Sequence, residues 1–251
     1  MQNTQQRLLR KSFRVIRRNY GCPGNDGISI SEIKKNYLLY ESLLLEDLLS
    51  GTFLFEQSPK HIILRDYLDK EREIFVYNVA ERWVQEFLRL QIEPTVEKHL
   101  AVYTYAFRRG KSDKDSYRYI LSSNPSCILR IDIKNYFNSI SKENVFILLN
   151  EIGVGDNLLY WVKKSLEHCE QGLPSGNVLS CLLSNLSLKN FDALFPQNYT
   201  RYSDDMMFAV KDCHEAEMFL KTVESVLRGY GFFLNPTKTK IIISPTRESI
   251  S

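Results

Sequence analysis

Three aspartates beside apolar segments are the residues of this sequence best suited to chemistry. Asp204 and Asp205 are adjacent in RYSDDMMF (residues 201–208), and Asp132 lies near the end of the apolar segment CILRIDI (127–133). Removing a carboxylate from water is costly unless a cation compensates its charge. Carboxylate oxygens suit Mg2+, and paired ions held in this way support in-line phosphoryl transfer. The pattern favours a divalent-metal site, whereas a YSDD segment taken alone is more often a simple turn.

The order of predicted elements explains how aspartates about 70 residues apart can converge. Apolar patterning predicts a strand at 127–133, helices at 141–152 and 156–169, a strand pair meeting near Ser203 to Asp205, a helix at 213–231 and a last strand at 239–244. The order β-α-β-β-α-β is typical of a split, ferredoxin-like sheet. We therefore expect an α+β fold in which the end of the first strand lies beside the hairpin.

The first half of the chain has helical patterning and begins with a basic segment. Cations alternate with apolar residues over 5–19, which predicts a basic amphipathic helix carrying Arg7, Arg10, Lys11, Arg14, Arg17 and Arg18. A solvated helix face and a surface that contacts nucleic-acid phosphates explain this pattern about equally well. Further helices are predicted over 31–51, with Ser31 as N-cap and Gly51 at its end, and over 78–100, where Pro94 should kink or divide the helix.

Composition and charge exclude several classes of protein. The 251 residues are 43% hydrophobic and 25% charged, with a net charge of +3, which indicates a globular chain that is only mildly basic. No segment reaches the roughly 18 apolar residues of a membrane span. The five cysteines form no C-x-x-C pair, which argues against a zinc ribbon or a disulfide framework. We expect a cytoplasmic protein with reduced thiols and no membrane partner.

Seven segments follow one another along the chain: GNDGISISEI (24–33), DKEREIFVYNVAERWVQ (69–85), YAFRRGKS (105–112), IDIKNYFNSI (131–140), QGLPSGNVLSCLLSNL (171–186), RYSDDMMF (201–208) and LNPTKTKI (234–241). Taken in order, they resemble the motifs of prokaryotic reverse transcriptases, the group that includes group II intron, retron and antiphage-defence enzymes. One segment alone would be a weak signal, but the series is highly specific and covers most of the chain. Cys181 departs from the pattern, because intron enzymes usually have proline there.

The resemblance implies a right-hand polymerase fold. The basic helix and the fingers would occupy residues 1–125 and the palm residues 126–251, with part of the fingers interleaved at about 145–180. The palm would be the ferredoxin-like sheet, with its helices on one face. No thumb is evident, since the sequence ends at PTRESIS soon after the last motif. We therefore expect a structured non-coding RNA or a second protein subunit to help hold the template–primer duplex in a prokaryotic cytoplasm.

The resemblance also assigns catalytic roles. Asp132, Asp204 and Asp205, with the main chain of Ile133, would hold two Mg2+ ions, for which Mn2+ could substitute. Lys238 would protonate the leaving pyrophosphate as a general acid. An ordinary surface lysine beside a strand is nearly as good an interpretation of Lys238.

Further residues would bind the incoming nucleotide and the nucleic acid. The nucleotide set is Lys70, Arg72 and Arg108 on the triphosphate, with Arg109 or Lys111 in support, Gln171 and Gly172 along the nucleotide site, and Phe137 under the sugar C2′. A ring at Phe137 would exclude a ribose hydroxyl, although plain core packing is the simpler interpretation of a single phenylalanine. The nucleic-acid set is Arg7, Arg10, Lys11, Arg14, Arg17 and Tyr202.

The function that these roles imply is an RNA-directed DNA polymerase that adds dNTPs to a primer 3′ end, in an antiphage-defence or retroelement system. Four alternatives stay open. An RNA-dependent RNA polymerase would need a smaller or hydroxyl-binding residue than Phe137. A metal-dependent nuclease would not need QGLPSGNVLS or YAFRRGKS. A polymerase-like RNA-binding subunit would not need intact aspartates, and an untemplated or protein-primed DNA polymerase would share most of the site.

Overall fold

The computed structural model describes residues 2–18, 21–65 and 71–250. Its helices are α1 (Gln2–Ile16), α2 (Ile30–Lys35), α3 (Tyr37–Ser50), α4 (Val79–His99), α5 (Asp113–Leu121), α6 (Tyr136–Ser139), α7 (Lys142–Glu151), α8 (Asp156–Leu166), α9 (Ser180–Ser187), α10 (Lys189–Asp192), α11 (Cys213–Gly229) and α12 (Arg247–Ile250). Its strands are β1 (Lys60–Arg65), β2 (Glu71–Val76), β3 (Cys127–Asp132), β4 (Tyr199–Tyr202), β5 (Asp205–Val210) and β6 (Lys240–Ile243).

The chain divides into two compact units. Unit 1 comprises residues 1–97 and 146–182, and unit 2 comprises residues 98–145 and 183–251. The boundary predicted near residue 125 falls inside unit 2. The physical reason is that α5 packs on the sheet of unit 2, where Ile120 joins a buried cluster with Ile128 and Met207.

Unit 2 is built on a four-stranded antiparallel sheet with the strand order β4-β5-β3-β6. The central strand β3 pairs with β5 from Cys127↔Val210 to Asp132↔Asp205. On its other side β3 pairs with β6, where Leu129 lies opposite Ile241. This register brings the end of β3 level with the start of β5.

Helices cover both faces of this sheet, because α5, which the sequence analysis assigned to the fingers, packs on the face opposite α11. On one face, α5 contacts Ile128 and Met207. On the other, the ring of Phe219 in α11 lies 5.2 Å from that of Phe208, the strand partner of Leu129. Adjacent strand residues point to opposite faces, and those of β3 are almost all buried. The three consecutive apolar residues at the start of CILRID are typical of a strand covered on both sides.

Unit 1 has an aromatic core in which α1 meets α3 and α4. The ring centroid of Phe13 lies 5.0 Å from that of Tyr37 and 4.5 Å from that of Trp83. The Trp83 indole Nε1 donates to the Leu9 carbonyl at 2.7 Å, which satisfies the polar atom of a fully buried side chain. These contacts fix the apolar side of α1 and leave its cations on the surface.

The helix ends of unit 1 differ in part from the sequence prediction. The N-cap of α2 is Ser29, not Ser31, because Ser29 and Glu32 form a reciprocal capping box. The predicted end at Gly51 is confirmed, since Gly51 adopts the left-handed region at φ 79° after α3. Pro94 does not divide α4, which continues through it to His99. Of the helices within the described ranges, none has both the length and the apolarity to cross a bilayer.

Candidate active site

The edge of the unit 2 sheet brings together the three aspartates singled out by the sequence. Asp132 ends β3 directly opposite Asp205, which begins β5. Asp204 lies in the two-residue turn before Asp205, and its carbonyl accepts a hydrogen bond from the Ile133 main-chain N–H at 3.3 Å. Ile133 also bridges to Leu234, so its backbone is held from two sides. Segments more than 100 residues apart in sequence therefore meet at one edge.

Asp132 is almost buried and is bound by the loop between α11 and β6. Lys238 Nζ donates to Oδ2 at 2.7 Å, and Asn235 Nδ2 donates to Oδ1 at 3.0 Å. The Asn235 main-chain N–H also donates to the Asp132 carbonyl at 2.8 Å. Asn235 accepts from Thr237 through its own Oδ1, which folds the loop that carries Lys238. The loop thus compensates the Asp132 charge with one cation and one amide.

Asp205 is bound by an arginine from the neighbouring strand. Arg130 Nε donates to Oδ1 at 2.9 Å and Nη2 donates to Oδ2 at 2.6 Å. Both side chains are about one-fifth exposed, so water screens this bidentate pair only in part. The contact with Asp205 raises the pKa of Arg130, against the opposing effect of burial.

Asp204 has the least compensated charge of the three. Burial raises the pKa of its carboxyl above the ordinary value, and the neighbouring Asp132 raises it further. The Asp204 main chain and Lys238 offset these effects only in part. Among the described residues, no cation lies within ion-pairing distance of this carboxylate. The site therefore contains three carboxylates and only two cationic side chains, Arg130 and Lys238, that pair with them.

The turn that presents Asp204 is held by a buried ion pair. Ser203 adopts a left-handed backbone with φ 61°, an uncommon conformation for a residue with a side chain. Arg201, which is fully buried, donates from Nη1 to the Ser203 carbonyl at 3.1 Å. The same guanidinium binds Asp192 at 2.6 and 3.0 Å and also contacts Asn185. Arg201 thus fixes the turn from inside the unit.

Two further predicted residues, Phe137 and Tyr202, also belong to unit 2. Phe137, on α6, is half-buried, and its ring meets that of Phe107 edge-on at 6.4 Å. Phe137 is therefore not a plain core residue. Tyr202 ends β4 opposite Asp205.

The cations of the loop at residues 100–112 divide into two kinds. Arg108 donates to the carbonyls of Ala101 and Thr104 at 2.6 and 2.7 Å, and Lys111 donates to that of Thr104 at 3.1 Å. These two side chains brace the loop itself. Arg109 is exposed and makes no side-chain hydrogen bond or ion pair to any residue that the structure describes.

The other predicted nucleotide residues belong to unit 1. Arg72 is exposed on β2, while Lys70 lies outside the described residues. Gln171 is exposed and Gly172 is buried with φ 70°. Their loop is joined to β2, because the Phe75 main-chain N–H donates to the Ser175 carbonyl at 2.9 Å. A Cβ at Gly176 would lie 2.1 Å from the Phe75 carbonyl oxygen, so only glycine permits this approach.

The cations of α1 face solvent in unit 1. A groove of about 410 Å³ is lined by Arg10, Arg14, Arg17 and Lys34, together with Phe13, Tyr37 and Leu38. Arg10 is paired with the buried carboxylate of Glu41 at 2.8 Å. The cations of this groove are therefore not equivalent, since Arg10 also neutralises an internal charge.

The aspartate edge suits a divalent cation in its donor chemistry. Three carboxylates supply the hard oxygen donors that Mg2+ prefers, and the charge of Asp204 is partly buried and only partly compensated. Within the described residues, no three acidic, histidine or cysteine side chains form a ready metal-binding group. Lys238 pairs with Asp132, and Arg130 pairs with Asp205. A cation bound here would have to compete with these two side chains.

Three residues of the site were missed in the sequence. Arg130 precedes Asp132 by two positions and therefore shares its face of β3, a signal that alternation could have given. Asn235 lies within LNPTKTKI, but its bond to Asp132 spans 103 residues. Arg201 immediately precedes the YSDD segment, and no sequence pattern marks its buried partner Asp192.

Comparison with known proteins agrees with the motif series. The profile of the reverse transcriptase (RNA-dependent DNA polymerase) family matches residues 59–249. Protein YkfC of Escherichia coli is 23% identical over 219 residues, covering 78% of this chain and 56% of YkfC. Nuclear intron maturase 4, mitochondrial, of Arabidopsis thaliana is 26% identical over 198 residues, covering 72% of this chain and 24% of the maturase. The chain thus spans about half of YkfC and a quarter of the maturase.

Solved structures of telomerase share the fold. Candida albicans telomerase, in complex with a TWJ fragment of telomeric RNA, superposes with a TM-score of 0.52 at 15% identity, covering 87% of this chain and 47% of that one. Apo telomerase from Candida tropicalis, truncated from its C-terminal domain, gives a TM-score of 0.51 at 15% identity, covering 73% of this chain and 49% of the telomerase chain. With the family match over three-quarters of its length, the chain belongs to the reverse transcriptase family, as the motif series indicated.

Proposed function

We propose that this chain is an RNA-directed DNA polymerase that adds dNTPs to a primer 3′ end. The observation that carries the proposal is the sheet edge where Asp132, Asp204 and Asp205 meet in a chain of the reverse transcriptase family. Unit 2, with its β4-β5-β3-β6 sheet, acts as the palm of a right-hand polymerase, and unit 1 acts as the fingers.

The acidic residues hold the catalytic metal. Asp132, Asp204 and Asp205, with the Ile133 main chain, would bind two Mg2+ ions, or Mn2+ in their place. Mg2+ bound by these residues would activate the primer hydroxyl and neutralise charge on the transferred phosphate. Arg130 and Lys238, which pair with Asp205 and Asp132, would release these carboxylates to the metal, and Lys238 would then donate a proton to the leaving pyrophosphate.

The predicted cations bind the triphosphate and the nucleic acid. Lys70, Arg72 and Arg109 supply charge to the phosphates, whereas Arg108 and Lys111 brace their loop. Gln171 and Gly172 line the nucleotide site. Phe137 sets the preference for deoxyribose, and its half-buried ring supports this role over a core role.

The groove of α1 and Tyr202 contact nucleic acid. Arg14, Arg17 and Lys34 bind phosphates of a structured non-coding RNA or of the template. A retroelement setting is favoured over antiphage defence, since one relative is a protein in a cob intron of Schizosaccharomyces pombe and another is an intron maturase.

Primer extension on an RNA template, with dNTPs and rNTPs supplied separately, tests the proposal. Elongation with dNTPs in the presence of Mg2+ is the expected result. Elongation with rNTPs alone would identify an RNA polymerase, and cleavage without elongation would identify a nuclease. Tight RNA binding without either reaction would identify a binding subunit, and extension without a template would identify an untemplated polymerase.

A further inference from the structure

Phe107 combines two unfavourable features in the loop at residues 100–112. Its backbone lies in the left-handed region at φ 58°, which is strained for a residue with a bulky side chain. The residue is 46% exposed, so the strain does not serve to bury it. Strained backbone persists only where the surroundings impose it, and it clusters at functional sites.

The contacts around Phe107 do impose this conformation. The preceding residue, Ala106, is fully buried, and its carbonyl accepts from Asn185 Nδ2 at 2.6 Å. The following residue, Arg108, is tied to the carbonyls of Ala101 and Thr104. Phe107 is therefore clamped on both sides by hydrogen bonds within unit 2.

The clamped loop is also continuous with the strand that leads to Asp204. Arg201 in β4 donates its main-chain N–H to the Tyr103 carbonyl at 3.0 Å, and its own carbonyl accepts from Tyr105 at 2.9 Å. The loop thus adds a short parallel pairing to the edge of the sheet. Phe107 is positioned by the same strand that positions the catalytic turn.

The ring held in this way meets Phe137 edge-on. The two centroids are 6.4 Å apart and the planes cross at 86°, a favourable geometry for an aromatic pair. Phe137 also meets the buried Tyr136 edge-on, at 5.8 Å. The Phe137 ring therefore contacts both a buried ring and the exposed ring of Phe107.

We propose that Phe107 is a specificity-determining residue that fixes the Phe137 ring against the sugar C2′ of the incoming nucleotide. The inference rests on the proposed function and deepens it. Without Phe107 the Phe137 ring has room to turn aside, and a ribose hydroxyl then fits. Phe107 acts through the position of Phe137 and takes no part in phosphoryl transfer.

The test is the ratio of kcat/KM for dNTP to that for the matching rNTP, measured for Phe107→Ala, Phe137→Ala and the double variant. Phe107→Ala should lower this ratio by about 10-fold, chiefly through faster rNTP use. The double variant should lose no more selectivity than Phe137→Ala, because the two changes act on one ring. Phe107→Gly should lose selectivity equally while relieving the backbone strain, which separates the effect from misfolding. Val102→Ala, an exposed apolar change in the same loop, is the control.

The outcomes separate the inference from the proposed function. An unchanged ratio in Phe107→Ala and Phe107→Gly, with normal dNTP use, overturns the role of Phe107 and leaves the polymerase assignment intact. Fully additive losses in the double variant also overturn it. A wild-type chain that incorporates neither kind of nucleotide overturns the proposed function, and the inference with it.

Discussion

At the scale of single residues, Asp204 is the group on which the metal hypothesis depends most. Its carboxylate is partly buried beside Asp132, and its pKa is raised above the ordinary 3.8. An acid with a raised pKa in the folded state binds its proton more tightly there than in the unfolded chain. Its contribution to stability is therefore present at low pH and is lost as the pH rises from 3.8 through the raised value.

The raised pKa of Asp204 predicts how Asp204→Asn changes the stability of the protein. Without divalent metal at about pH 7, the variant should have a larger free energy of unfolding than the wild type, because it removes a buried charge that is only partly compensated. The difference should vanish below pH 3.8, where both side chains are neutral. Urea unfolding in EDTA across this pH range measures both effects. Adding Mg2+ should then stabilise the wild type more than the variant, and equal stabilisation of both would contradict metal binding at Asp204.

Lys238 gives a second prediction at this scale, since it both neutralises Asp132 and is the proposed proton donor. Lys238→Ala should lower kcat by about 100-fold at saturating dNTP, while its Mg2+ affinity should rise because Asp132 loses a competing cation. Single-turnover extension and Mg2+ titration measure the two quantities, with Lys221→Ala, an exposed lysine on α11, as control. Weaker Mg2+ binding in the variant would show that Lys238 does not compete for Asp132.

At the scale of elements, the buried pair of Arg201 and Asp192 supports the turn that carries Asp204. Replacing Arg201 by Ala leaves Asp192 buried without its cation, and breaking such a pair costs about 3–5 kcal/mol of stability. The double variant Asp192→Ala, Arg201→Ala should lose less free energy of unfolding than the sum of the losses in the two single variants. Chemical denaturation of all three variants measures the coupling. Strict additivity would mean that the two side chains do not stabilise the turn as a pair.

The sequence predicted the elements of unit 2 better than the contacts between them. Apolar runs and turn residues in the sequence located β3, β6 and the hairpin of β4 and β5. The predicted meeting point of the two hairpin strands, near Ser203 to Asp205, agrees with the observed turn. The bonds from Arg130 to Asp205 and from Lys238 to Asp132 span 75 and 106 residues, and local patterns carry no information at that range. The cap of α2 was misplaced because Ser29 and Ser31 are both suitable caps, and only the bond to Glu32 selects Ser29.

At the scale of the whole molecule, RNA binding should follow the exposed cations of the α1 groove. Charge reversal of Arg14, Arg17 and Lys34 should weaken RNA binding and reduce its salt dependence by about one unit of slope for each phosphate that the variant no longer binds. Arg10 is omitted, because its reversal would also place two negative charges together at the buried Glu41. Filter binding across salt concentrations is the measurement.

A matched reversal of the exposed Lys114, Lys211 and Lys221 in unit 2 is the control for this prediction. It changes the net charge by the same amount at sites where we expect no RNA to bind. Equal weakening by both triple variants would indicate a general charge effect and would remove the groove from the binding surface.

Primer extension by Asp204→Asn, on an RNA template with dNTPs and Mg2+, decides whether this sheet edge is the catalytic metal site. We expect a loss of incorporation of at least about 100-fold, with primer–template binding retained, because the change removes one carboxylate charge and leaves the turn intact. Asp156→Asn, an exposed change in the first turn of α8, should retain full activity. Undiminished synthesis by Asp204→Asn would contradict the assignment of the three aspartates as metal ligands.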